Sequence, residues 1–114
     1  MTNNKELQAV QALRKALDEK FGHDIIVMDL SEVSPIADYF VICTGNSAPQ
    51  LHALAQQAEE TMKSAGIRML HNEGIRSGNW VLLDFGGIIV HLFDKESREY
   101  YNLERTWGDA KIID

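Results

Sequence analysis

Asp94 and Glu96, two carboxylates one residue apart after an apolar run, are the nearest this chain comes to the acidic pair that holds magnesium in phosphoryl-transfer enzymes. Gly45-Asn46-Ser47 stands where a strand hands over to a helix, a place where backbone amides and the helix dipole can cradle a phosphate. Both have a plainer reading. The glycine turn has neither the Lys-Ser/Thr ending of a P-loop nor the spaced Gly-x-Gly-x-x-Gly of a dinucleotide site, so Ser47 reads first as a helix N-cap. Asp94 likewise precedes a helical stretch, where it caps free amides while Glu96 complements the helix dipole.

The remaining reactive side chains stand alone. His23, His52, His71 and His91 include no pair at metal-ligand spacing, and the single Cys43 builds no zinc site. No Ser-His-Asp or Cys-His arrangement can be read from spacing, and Cys43 lies inside an apolar strand, where a thiol is core. His91, within the last long strand, reads as a sheet-face histidine. The expectation is a protein with no catalytic residue, no metal and no cofactor.

Charge narrows the partners. A formal net charge of −6 opposes a broad grip on phosphate backbone, which needs clustered Lys and Arg, and suits a basic protein partner instead. No apolar run approaches the roughly 20 residues of a bilayer span, and Met1–Glu6 lacks the apolar segment of a secretory signal. With one cysteine and no internal disulfide, a reducing cytoplasm is expected, with no membrane and no sequence-specific nucleic acid as partner.

The elements that must carry these residues follow from periodicity. Leu7, Val10, Leu13, Leu17 and Phe21 predict a helix over 4–21, opened by an Asn3/Glu6 capping box and closed by Gly22. Asp24–Leu30 is a strand followed by a turn-rich loop, and Tyr39–Thr44 is a strand apolar enough to sit centrally. Ser47 and Gln50 form a second capping box before Leu51, Leu54, Ala55, Ala58, Met62 and Ala65, with Gly66 ending that helix. Ile67–Leu70 then reads as a strand, completing a parallel strand-helix-strand unit over 39–70. Asn72–Asn79 is a polar loop, a short final helix begins near Asp94, and the tail Lys111–Asp114 is loose. The sum is one α/β domain, 1–114, with a mixed sheet of about five strands flanked by helices.

The last third is the most telling. Trp80–Phe85 and Ile88–Phe93 flank Gly86-Gly87, the pattern of a tight antiparallel hairpin. Trp80, Leu82 and Asp84 point one way and Val81, Leu83 and Phe85 the other, so one face meets a core while the other needs a cover, which another molecule can supply. Trp80 is the best anchor, since tryptophan is strongly enriched among residues that dominate binding energy. Asp84 is either a turn acceptor or an exposed contact for a basic partner. Of Tyr100, Tyr101, Leu103 and Trp107, at least two are expected to be core.

Five blocks also carry a family resemblance: Ala37-Asp38-Tyr39-Phe40-Val41-Ile42, Gly45-Asn46-Ser47, Trp80 to Gly86, Val90-His91-Leu92-Phe93, and Tyr101 to Trp107. Together they resemble the ribosomal silencing factors of the Iojap family over nearly the whole chain. The resemblance implies a nucleotidyltransferase-like shape without the active site and a translational repressor without catalysis. It implies binding to ribosomal protein number fourteen of the large ribosomal subunit, obstruction of small-subunit joining, and a homodimer when the protein is free. It points to Trp80, Asp84, His91, Tyr101, Leu103, Glu104 and Trp107 as the partner-binding surface. The chain departs from the family at Ala48-Pro49, where members often carry Ser-Arg, and at Gly87, where they often carry an acid. Two rival readings are a nucleotidyltransferase-type enzyme using Asp94, Glu96 and the Gly45-Asn46-Ser47 turn on a nucleotide, and a plain dimerisation module.

Overall fold

The computed structural model describes residues 4–76 and 79–113. Helix α1 (Asn4–Glu19) forms where the apolar stripe predicts, burying Val10, Leu13 and Leu17, and the Asn3 half of its expected capping box lies outside the described residues. Its end is built differently from expectation. Phe21, not Gly22, takes the left-handed backbone (φ 66°), and the Gly22 amide donates to the Leu17 carbonyl at 2.9 Å. Gly22 serves packing instead, because a Cβ there would lie 2.4 Å from the Cys43 sulfur.

Strands β1 (His23–Asp29) and β2 (Tyr39–Thr44) pair antiparallel, and every residue of β2 is buried, as its unbroken apolar run requires. Helix α2 (Ala48–Ser64) opens on Ser47, whose side chain accepts the Gln50 amide at 3.2 Å. The reciprocal half of the box falls one residue early, since the Gln50 side chain accepts from the Asn46 amide rather than from Ser47. Pro49 sits in the first turn, where its missing N–H has no helical partner to lose.

Beyond α2 the chain departs from the sequence reading. Residues 67–70 are not a strand. The Ile67 amide bonds back to Met62 at the helix C-terminus, where Gly66 takes φ 78°, so the segment's first hydrogen bond closes a cap instead of a sheet ladder. Ile67 and Met69 still pack on the core, which is how a connector comes to carry a strand's alternation. The strand follows as β3 (His71–Glu73), shortening the predicted polar loop, and it pairs antiparallel with β4 (Trp80–Asp84). The parallel neighbour of β2 is not the segment after α2 but β5 (Ile88–Phe93), in the register Tyr39↔Ile88 to Thr44↔Phe93.

Helices α3 (Lys95–Tyr101) and α4 (Leu103–Thr106) precede a sixth strand, β6 (Lys111–Ile113). Of the tail expected to be loose, Lys111–Ile113 is paired: Val27↔Ile113 and Asp29↔Lys111 bind it to β1, Arg14 donates to the Ile113 carbonyl at 3.3 Å, and Asp114 lies outside the described residues. Three mostly exposed edge residues are too few to show a period in sequence. The six-stranded mixed sheet runs β3-β4-β5-β2-β1-β6, with α1 and α2 over the large core on one face. On the other face a smaller cluster of Met28, Leu30, Phe40, Ile42 and Phe93 meets Leu103 and Trp107. No helix among the described residues is long and apolar enough to cross a membrane.

Candidate partner-binding face

The β4–β5 hairpin positions the predicted surface. The Phe85 amide donates to the Ile88 carbonyl at 2.9 Å across Gly86-Gly87, and Gly86 alone takes positive φ (90°), which a side chain would strain. Asp84 is the turn acceptor, taking the Gly86 N–H at 2.8 Å while remaining partly exposed. Strict alternation follows from there. Val81, Leu83 and Phe85 are buried in the large core, whereas Trp80, Leu82 and Asp84 face the other way and stay partly exposed.

The register sets Trp80 beside Phe93 and Leu82 beside His91, and gathers an aromatic cluster around the indole. The Trp80 ring lies 5.1 Å from Phe93 and 4.5 Å from Tyr101, and its Nε1–H donates to His91 Nδ1 at 3.1 Å. His91 lies beneath this surface at 4% exposure, edge-on to Phe40 at 4.5 Å. Burial pushes its pKa down to about 4, which keeps the ring neutral at physiological pH. Trp107 contacts Phe40 from the far side at 5.8 Å and is half-buried, as are Leu103 and Glu104. Tyr101 is 45% exposed and Tyr100 81%, so of the four tail residues expected to include core, Leu103 and Trp107 pack inward.

Local capping holds the C-terminal side of this face. Asp94 accepts the Ser97 amide at 2.7 Å and so starts α3, and Asn102 in left-handed backbone (φ 44°) both ends α3 and caps α4 through the Arg105 amide. Arg98, nine-tenths buried, donates to the Thr44 hydroxyl at 2.9 Å and to Glu104 at 3.4 Å, which ties α3 to β2 and α4. Arg98 was not readable as a site residue, because nothing in its spacing separates it from any exposed helical arginine. Leu82 and Ile89 also lie half-exposed on this face and were legible as neighbours, since they share strand parity with Trp80 and Asp84.

The competing chemistry is committed elsewhere. Asp94 and Ser47 are spent on helix caps, and Glu96 is exposed on α3. Gly45 is buried, and a Cβ there would lie 2.8 Å from Leu51, a packing reason for the glycine. Burial pushes the Cys43 thiol up to about 12, which makes it an inert core residue. Among the described residues no group of three His, Cys, Asp or Glu is placed to hold a metal.

A family model described as "Ribosomal silencing factor during starvation" matches residues 3–114. The chain belongs to this family. The ribosomal silencing factor of Bacillus subtilis is 41% identical over 112 residues, spanning 98% of this chain and 93% of that one. The mouse protein named mitochondrial assembly of ribosomal large subunit protein 1 is 32% identical over 86% of this chain and 44% of its own length. A crystal structure from Chromobacterium violaceum, 34% identical, superposes with a TM-score of 0.86 over 90% of this chain and 85% of that chain. The family's names place it in translation regulation, a regulatory role directed at ribosomes.

Proposed function

We propose that this silencing factor acts by docking on the large ribosomal subunit, through its ribosomal protein number fourteen, and obstructing the small subunit sterically. The observation that carries the reading is the half-exposed aromatic face of β4, β5 and α3, where Trp80 packs against Tyr101 and Phe93 with Leu82 and Ile89 alongside. An amphipathic indole held in a partly desolvated cluster is the kind of group that anchors protein interfaces. Asp84 and Glu104 at its margins, on a chain of net charge −6, favour approach to a basic partner. The large-subunit wording in the name of the mouse relative supports the same target. No catalysis is needed for this role, because occupancy of a joining surface is enough. The chain works as one unit in the cytoplasm, and the free protein pairs with its own copy.

The test separates anchor from charge. Trp80→Ala is expected to weaken co-sedimentation with isolated large subunits by about thirtyfold, in line with roughly 2 kcal/mol for an aromatic hot spot. Asp84→Asn keeps the acceptor for Gly86 and is expected to change mainly the association rate and its salt dependence. In a sucrose gradient, added wild-type protein shifts joined ribosomes toward free subunits, and the Trp80 variant does so only at higher concentration. Full joining in the presence of saturating wild-type protein overturns the reading.

A further inference from the structure

We infer that His91 is a positioning residue: its Nδ1 accepts the Trp80 indole N–H and fixes the orientation in which that ring meets the partner. The inference rests on the docking reading above. Its basis is the contact between the two rings. Trp80 and His91 are not directly opposite, since Trp80 pairs with Phe93 and Leu82 with His91, so the indole reaches diagonally across the hairpin to make a 3.1 Å hydrogen bond. Indole offers a donor and no acceptor, so a half-buried tryptophan needs an accepting atom beside it.

The state of the histidine agrees. Because Nδ1 accepts, the ring proton resides on Nε2, and that atom is buried with no hydrogen-bond partner among the described residues. A buried unpaired donor is unfavourable, and an apolar side chain at this position would fill the same layer against Phe40 and Phe93 without it. The unpaired Nε2–H therefore weighs against a histidine in this layer, and what favours one is the Nδ1 acceptor it offers to Trp80. With Phe93 and Tyr101 packed against the indole as a three-ring cluster and Nδ1 at its nitrogen, Trp80 is held before any partner arrives. A preorganised anchor binds more tightly because less side-chain freedom remains to be lost.

The experiment uses the full-length protein labelled with nitrogen-15. Its two tryptophans give two indole N–H resonances, and Trp80→Phe assigns them. The Trp80 indole proton is expected to exchange slowly with solvent. His91→Phe, which keeps an aromatic ring and loses the acceptor, is expected to accelerate that exchange and shift the resonance upfield. The same substitution is expected to weaken binding to isolated large ribosomal subunits about fivefold. His91→Asn, whose side-chain oxygen can stand near the Nδ1 position, restores both, and His91→Leu replaces His91→Phe if the phenylalanine variant does not fold. In a Trp80→Phe background, His91→Phe adds no further loss of affinity.

An unchanged Trp80 resonance in His91→Phe, or a loss of affinity that persists in the Trp80→Phe background, overturns the inference. If Trp80→Ala binds subunits as tightly as wild type, the docking reading fails, and with it the binding half of this inference. The indole resonance then still decides whether His91 holds the ring.

Discussion

His91 makes the acid limit of this protein predictable from one side chain. Burial keeps the folded ring neutral with a pKa of about 4, against an ordinary value of 6.5, so on acidification the unfolded chain takes up the proton first. The stability tied to the neutral ring is complete above pH 6.5 and drains away toward pH 4, an amount of about 3 kcal/mol. Urea midpoints measured between pH 7 and pH 4 are expected to fall in wild type and to fall less in His91→Asn. A second group works in the opposite direction. Burial, a hydrogen bond with Asp38 and the Asp38 charge together raise the Glu6 carboxyl above its ordinary 4.5. Its contribution is therefore present below pH 4.5 and is lost as pH rises through the elevated value. Asp38→Asn removes two of the three causes of the rise and is expected to make the melting temperature fall less as the pH is raised above 4.5. Both carboxylates crowd Gly87, where a Cβ would lie 2.0 Å from Glu6 and 2.9 Å from Asp38, so an acidic side chain there would meet two others.

The elements show where local sequence is decisive and where it is silent. The hairpin, the α2 cap on Ser47 and the α3 cap on Asp94 form as their residue types dictate, because each is settled within a few residues by a turn or a free amide. Ile67–Leu70 misleads because alternation marks which side chains meet the core and not whether the backbone has a neighbour to pair with. The strand β6 is invisible for the converse reason: its partner β1 is remote, and three edge residues leave no pattern. The candidate site divides along the same line. Trp80 and Asp84 were legible from parity and turn chemistry, while the depth of His91 and the Arg98 link to Thr44 and Glu104 depend on contacts between distant elements. Gly22 gives the sharpest test at this scale. Its closeness to Cys43 predicts that Gly22→Ala costs about 1–3 kcal/mol through overpacking of the α1 terminus against β2. Combined with Cys43→Ala the penalty is expected to shrink, a coupling that chemical denaturation of the four-member mutant cycle measures.

At the scale of the whole molecule, two cores of unequal size among the described residues share one sheet. The larger lies under α1 and α2, and the smaller is completed by Trp107 and Leu103 from the C-terminal helices. The proposed docking face belongs to the smaller side, so the larger core supports the scaffold while the smaller sets the surface. The middle of that sheet also has a kinetic consequence. The two central strands, β2 and β5, are separated along the chain by α2, β3 and β4, yet they zip together as parallel neighbours. Such a pairing closes a long loop before it gains anything from contact, which makes it the natural barrier to refolding. Val41→Ala and Val90→Ala, at one rung of that ladder, are expected to slow refolding in stopped-flow chevrons, whereas Tyr101→Ala acts chiefly on the unfolding arm. Closure of that midline joins the strand that carries Phe40 to the hairpin that carries His91, so the packing beneath the proposed Trp80 face is completed only when β2 and β5 meet.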